Sequence, residues 1–243
     1  MVDTRRLVAG VLSAAALAAA SALVVVVQAA PAAATTASAS TLYHDALATT
    51  RSWSVHYASS STESKQTLQE SGNAGPASAS QTVLLGKGSI SILVIGDISY
   101  VQGNVNGLEE LAGLSSSQAA AAAGQWIEFS TDNAAFAPVV EGVRSTDLAK
   151  ELALKSPLSL GHVSKVNGVA VDAIDGTQAI GKKSEHVVLY VRAQGTHVPV
   201  EEDSVNAKGQ RTDAEHIVYS SWGEQVRPEA PKATISVGSI SAV

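Results

Sequence analysis

The sequence predicts an α+β domain built on an antiparallel sheet. Three observations lead there. Residues 81–104 alternate apolar and polar side chains between glycine-marked turns. Residues 105–155 lose that period of two and gain helical spacing. From 157 onward the chain returns to strands. Parallel βαβ units would alternate strand and helix strictly, whereas helix, strands, helices and strands in blocks indicate segregated layers.

The N-terminus reads as a targeting segment. Arg5 and Arg6 form a positive start, an apolar run covers Leu7 to Val27, and small residues suited to a signal peptidase fill Ala29–Ala34. Cleavage after Ala29, Ala32 or Ala34 satisfies the small-residue rule. About 20 apolar residues also suffice to span a bilayer. Residues 1–34 are therefore either a signal peptide or an uncleaved anchor, and the small-residue stretch favours cleavage. Residues 35–40 read as a linker, and 41–243 as a single domain.

Roughly 200 residues remain beyond that segment, enough for one substantial core. The chain has no cysteine, which removes disulfides, thiolate chemistry, Cys-ligated metal and an N-terminal lipid carried on Cys. The net charge of the whole chain is −6; Asp3, Arg5 and Arg6 together carry +1, so the remainder carries −7. Beyond the N-terminal segment the basic residues are scattered, with only Lys182 and Lys183 adjacent. A nucleic-acid partner is not expected, because such partners call for clustered Lys and Arg. Membrane association is expected only through an uncleaved N-terminal segment.

In chain order, Leu42, Ala46 and Leu47 predict a helix over 41–51. Trp53, Val55 and Tyr57 alternate with Ser54, His56 and Ala58 as a half-buried strand, which points His56 to solvent. Residues 59–80 read as one polar strand around Lys65–Glu70 and a turn at Gly72–Pro76. Gly86-Lys87-Gly88 and Gly96-Asp97 separate three strands, the middle one with Ile90, Ile92 and Val94 on one face. Leu108, Leu111 and Ala112 predict a helix ending at Gly113. Ser117 is placed to cap a second helix through Ala119–Ala123, stopped by Gly124. Trp126–Ser130 reads as a strand. Phe136, Val139, Val140 and Val143 have helical spacing, with Pro138 in the first turn. Ser145 starts a further helix with Leu148 and Leu152 as its buried stripe, a Glu151–Lys155 pair, and Pro157 as its stop. Asn167–Gly168 turns between two strands, Gly195–Thr196 turns a hairpin, and 214–221 is the next strand, with Ile217 and Tyr219 on one face. A last strand is predicted at 233–237.

No motif carries catalysis. "GTQAIGKKS", 176–184, has the spacing of a phosphate loop, but Lys183 stands where the Mg²⁺-holding hydroxyl belongs and a strand follows where a helix should begin. It reads as a hairpin loop. Glu185/His186 and Glu215/His216 begin two strands alike, yet a strand between them separates the pairs by roughly 10 Å, too far to share one ion. They read as solvated or pocket-rim residues. "EED" at 201–203 reads as a solvated edge. There is no G-x-S-x-G, S-x-x-K or H-E-x-x-H, so no catalytic residue, no metal ligand and no cofactor is expected.

Several stretches are similar to one family. "QTVLLGKGSISILVIGDISYVQGN", "AAAAAGQWIEFS", "VNGVAVDAIDG", "LYVRAQGTHVPVEED" and "YSSWGEQVRPEAP" resemble actinobacterial LolA-like envelope proteins of the LppX/LprG lipoprotein group over about 41–235. Tyr100-Val101, Gly124 with Trp126, and Trp222-Gly223-Glu224 are the most distinctive pieces. The resemblance implies a curved, incomplete antiparallel β-barrel with helices packed on its concave face, and a space between the layers for lipid acyl chains. Relatives of this kind carry a lipid-modified cysteine that is missing here, which implies a secreted or N-terminally tethered protein of the extracytoplasmic envelope.

The expected partner is thus an apolar small molecule or lipid acyl chain. Its cavity walls are expected from Ile90, Ile92, Val94, Val187, Leu189 and Val191, with Leu111, Phe136, Val140 and Leu152 as a lid. Two alternatives stay open: a structural or interaction module of the same fold with a filled core, and a hydrolase assembled from distant residues.

Overall fold

The chain was analysed as a computed structural model that describes residues 37–240 apart from 64–65, 163 and 181–182. The expected signal or anchor over 1–34 and the turn of the phosphate-loop-like stretch lie outside the described residues. No described helix is long and apolar enough to cross a membrane.

Helix α1 (Ala39–Ser52) starts where the Ser38 hydroxyl accepts a 3.1 Å hydrogen bond from the Thr41 N–H, two residues ahead of the predicted start. Leu42, Tyr43, Ala46, Leu47 and Thr50 are buried and lie on one face. A meander follows: β1 (Val55–Glu63), β2 (Gln66–Ala74), β3 (Ser78–Leu85), β4 (Gly88–Ile95) and β5 (Ile98–Gly103). Gly86 and Gly96 turn it with φ of 57° and 59°, a backbone region glycine enters without a Cβ penalty. The polar stretch 59–80 holds more strand than its composition predicts. Ser59 and Ser61 sit on the buried face of β1, and the turn before β3 falls at 75–77.

Helices α2 (Val105–Glu110) and α3 (Ser116–Ala122) come next. Asn104 caps α2 and fastens it to the β3–β4 turn: its Oδ1 accepts from the Gly107 and Ser89 N–H groups at 2.7 and 3.1 Å, and its Nδ2 donates to the Lys87 carbonyl at 2.8 Å. Ser115, not Ser117, caps α3, in a reciprocal capping box with Gln118. Strand β6 (Trp126–Ser130) matches its prediction. Helix α4 (Ala137–Val140) is a single turn with Pro138 near its start. Helix α5 (Ser145–Glu151) ends four residues before Lys155, which already belongs to β7 (Lys155–Leu160), so the predicted Glu151–Lys155 helical pair does not form. Lys150 instead pairs with Asp147 at 2.6 Å.

The remaining strands are β8 (Ser164–Val166), β9 (Val169–Ile180), β10 (Lys183–Arg192), β11 (Pro199–Val205), β12 (Arg211–Ser220) and β13 (Thr234–Ser236), then the short helix α6 (Val237–Ile240). The sheet runs β13-β6-β5-β4-β3-β2-β1-β12-β11-β10-β9-β7, with β8 added against β9. Every pairing is antiparallel except β13 with β6. Strand β12 returns to β1, so the two meanders join into one curved sheet whose outer strands, β13 and β7, leave it unclosed. This is the predicted α+β class.

The register carries one row of residues across most of the sheet: Ile90, Val83, Glu70, Ser59, Ile217, Glu202, Leu189 and Ile174 are successive partners. Because side chains alternate by residue, all of them stand on the same face, the one that meets the helices. The core divides along this row. One apolar cluster joins β3–β6 to α2, α3 and α4; the other joins β1, β10 and β12 to α1 and α5.

Candidate functional site

Period-two alternation carries polar side chains to the inner face as well as apolar ones. On β12, Glu215 follows the parity of Ile217 and Tyr219, and on β11 Glu202 follows that of Val200. Glu70 joins them from β2 beside Ser59, whose hydroxyl donates to its Oε2 at 3.3 Å. Glu151 comes from the last turn of α5. Its carboxylate lies against Gly142, at φ 88°, where a Cβ would stand 2.5 Å from Oε1. The side-chain amide of Gln178 donates to the Glu151 carbonyl.

These carboxylates share one electrostatic environment. Burial pushes Glu70 up to about 7, with the Ser59 hydroxyl opposing it. Burial, and next Asp203, push Glu202 up to about 8. Glu215 is raised well above the usual carboxylate range by burial and then by Glu202, Glu151 and Glu70. Glu151 is raised by burial and then chiefly by Glu70. The phenols of Tyr57 and Tyr219 are raised by burial and by the same carboxylates. Desolvation disfavours each charged form, and every neighbour of like charge adds to it.

Several inner groups lack partners. Both Glu215 oxygens, Glu202 Oε2, the Tyr57 hydroxyl and Gln178 Oε1 are buried without a hydrogen bond. Glu70 and Glu151 are surrounded by protein yet keep some accessible surface. An unpaired buried polar atom costs on the order of 1–3 kcal/mol, so groups this placed call for a partner in the space they face.

All ten residues predicted to wall a cavity are buried, but they fall into two clusters and form no single wall. Ile90, Ile92, Val94, Leu111, Phe136 and Val140 belong to the first, where the Phe136 ring lies 4.7 Å from that of Phe129. Leu152, Val187, Leu189 and Val191 belong to the second. Glu70 and Ser59 stand between the two clusters, Glu202 and Glu215 stand among residues of the second, and the sequence pattern did not reveal them. "EED" is no solvated edge: Glu201 and Asp203 face outward, while Glu202 is 1% exposed and faces in. Glu215 and His216 part to opposite faces, Glu215 at 2% exposure. Glu185 and His186 lie two strands away on β10, as the meander predicted. The signal for Glu215 was present in the parity of Ile217 and Tyr219.

The opposite face of the sheet carries its own polar features. Asp203 accepts from His216 at 2.8 Å with Arg211 at 3.7 Å. Glu201 joins them, and its carboxyl is raised by burial and then by Asp203. The Arg211 guanidinium already supplies positive charge to this group. A hollow of about 330 Å³ lies under the Glu224–Glu229 tail against His56, Asn73, Ser80 and Leu93. His56 bonds to Asn73 at 3.1 Å there, on the outward side as predicted.

No family model matches the sequence, and no curated protein matches it. Among solved structures, LprF from Mycobacterium bovis is similar at 13% identity, with 79% of this chain and 96% of that chain covered and a TM-score of 0.51. The lipoprotein LppX from Mycobacterium tuberculosis is similar at 17% identity over 76% of this chain and 95% of that one, with a TM-score of 0.46. A LolA superfamily protein from Nitrosomonas europaea is similar at 14% identity over 79% and 96%, with a TM-score of 0.28. At such identities the likeness is one of fold, and LprF alone of these three reaches a TM-score at which it bears on the argument. A curved unclosed sheet with helices against one face, spanning nearly the whole of LprF, gives this chain the LolA-like fold.

Proposed function

We propose that the protein is an exported, non-enzymatic binding protein of the cell envelope, holding a lipid acyl chain or other apolar molecule between its curved sheet and the helices. The observation that carries this reading is the seam between the two apolar clusters. There Glu70 and Glu151 sit deep in the protein yet touch accessible space, with Leu152 following Glu151 and with Ile217 and Leu189 farther along the register row of Glu70. A guest chain laid along such walls gains about 0.8 kcal/mol per buried CH₂. Arg5, Arg6, the apolar run after them and the small residues at 29–34 support export.

Native mass spectrometry of the purified chain, with organic extraction, tests the reading. It predicts a co-purifying apolar molecule, or uptake of a fluorescent fatty acid by the extracted protein. An empty protein that takes up no such probe contradicts it.

A second reading is favoured by a specific contact. The Phe129 and Phe136 rings touch at a tilt of 32°, and Ile92 and Leu108 are almost wholly enclosed, so at that end the layers meet closely. On this reading the protein is a structural or interaction module with a filled core. It predicts no ligand in the same extraction.

A further inference from the structure

Among the described residues no ion pair reaches the inner carboxylates. Glu70 and Glu202 lie in one register row, separated by Ser59 and Ile217. Glu215 stands two residues along β12 on the same face, and Glu151 reaches in from α5. The ion pairs among the described residues are Lys150–Asp147, Arg211–Asp203 and His216–Asp203, and none involves these four. The Tyr57 hydroxyl, on a side chain 2% exposed, also has no partner, and Tyr57 stands two residues from Ser59 on the same face of β1. A buried phenol and buried carboxylates left unpaired in this way point to an occupant that supplies donors and positive charge.

The spacing decides the kind of cation. A bare divalent ion needs several oxygens drawn to within about 2–2.6 Å of it. Among the described residues only Glu201, Asp203 and His216, on the other face, bring three ligand atoms within 4.8 Å of one another. Glu70 and Glu202 are three strand spacings apart, roughly 14 Å along the backbone. The spread suits an extended organic cation. Ser59 and Ile217 stand between Glu70 and Glu202, Leu189 lies just beyond Glu202, and Tyr219 is two residues from Ile217 on the same face; aromatic faces also favour a cation.

We infer that the guest of this seam is an amine-bearing amphiphile, its alkyl chain along Leu152, Leu189 and Ile217 and its ammonium groups among Glu70, Glu202 and Glu215. This rests on the apolar-ligand reading above and names the chemistry of its ligand.

Competition binding on the extracted full chain at neutral pH tests it, with dodecylammonium, dodecanol, dodecanoate, spermidine and calcium alone as probes. Dodecylammonium is expected to bind at one per chain, at least about tenfold more tightly than dodecanol or dodecanoate. In the Glu202→Gln/Glu215→Gln double variant that preference is expected to vanish while dodecanol binding holds. Should the double variant not fold, Glu70→Gln is expected to lower the preference by itself. Equal binding of dodecanol and dodecylammonium, or a preference untouched by these substitutions, overturns the inference and leaves the apolar-ligand reading standing. Spermidine binding as tightly as dodecylammonium overturns the amphiphile assignment, and calcium binding abolished by the double variant replaces it with a metal site. Failure of every probe overturns both readings.

Discussion

Tyr43 on α1 is bonded to Leu152 at the end of α5, across 109 residues of sequence. Its hydroxyl donates to the Leu152 carbonyl at 3.0 Å and accepts from the Leu154 N–H at 2.8 Å. Two backbone groups where α5 ends thus share one partner on another helix, and α5 is tied to α1. Tyr43→Phe keeps the ring and removes both bonds, leaving the Leu154 N–H only its 2.9 Å bond to the Leu152 carbonyl. It should lower unfolding stability by about 2 kcal/mol, read from urea denaturation. A loss below roughly 0.5 kcal/mol would mean that the tie contributes little to holding α5.

Phe136 distinguishes packed core from loose lid. Its side chain is buried against Phe129. Truncation to Ala removes a full aromatic contact and leaves a void, which costs about 3–5 kcal/mol in a well-packed site. Thermal or urea unfolding of Phe136→Ala should show a loss in that range. A loss under about 1 kcal/mol would show that this segment lifts freely from the sheet.

The inner carboxylates make stability depend on pH in a defined direction. Glu202 and Glu70 are raised to about 8 and about 7 from 4.5, mainly by burial. Between those limits the folded protein holds protons that the unfolded chain has released. Their contribution is therefore fully present below about 4.5 and is lost as pH rises through about 8. The titratable groups that act on or feel Glu202 are Glu215, Glu151, Tyr219 and Tyr43 on the inner side and Asp203 next to it in the chain, none of which supplies positive charge. The ligand-free protein should lose stability from mildly acidic to mildly alkaline pH by about 1.4 kcal/mol per unit for each such group. Glu202→Gln should reduce that slope and exceed the wild type in stability at the alkaline end, measured by urea unfolding across pH. Parallel curves for the two proteins would contradict the burial of an unpaired Glu202.

Much of the fold was legible because its signals are local. The Ile90/Ile92/Val94 alternation and the glycines at 86 and 96 define three strands without reference to the rest of the chain. The Ser-rich stretch 59–63 was not legible, since small polar residues show no hydrophobic period; its strand is fixed by pairing with β2 and β12, a tertiary effect. Glu151–Lys155 failed for the same reason: pairing of β7 with β9 takes Lys155 out of the helix. The apolar residues of the candidate site were found from their stripes, but their division into two clusters depends on the strand order that sets β12 beside β1, a long-range pairing no local pattern encodes. Glu202 and Glu215 were hidden by their charge. A carboxylate is ordinarily placed in water, and only its parity with Val200 or Ile217 says otherwise.

The account rests on an apolar guest lodged between sheet and helices, and photo-crosslinking tests that most directly. A diazirine-bearing alkyl alcohol is added to the extracted chain, irradiated, and its adducts are mapped by peptide mass spectrometry. Adducts on the peptides holding Leu152, Leu189 and Ile217 are the predicted result. Adducts confined to His56 and the Glu224–Glu229 tail on the opposite face, or none above a non-binding control protein, would contradict it.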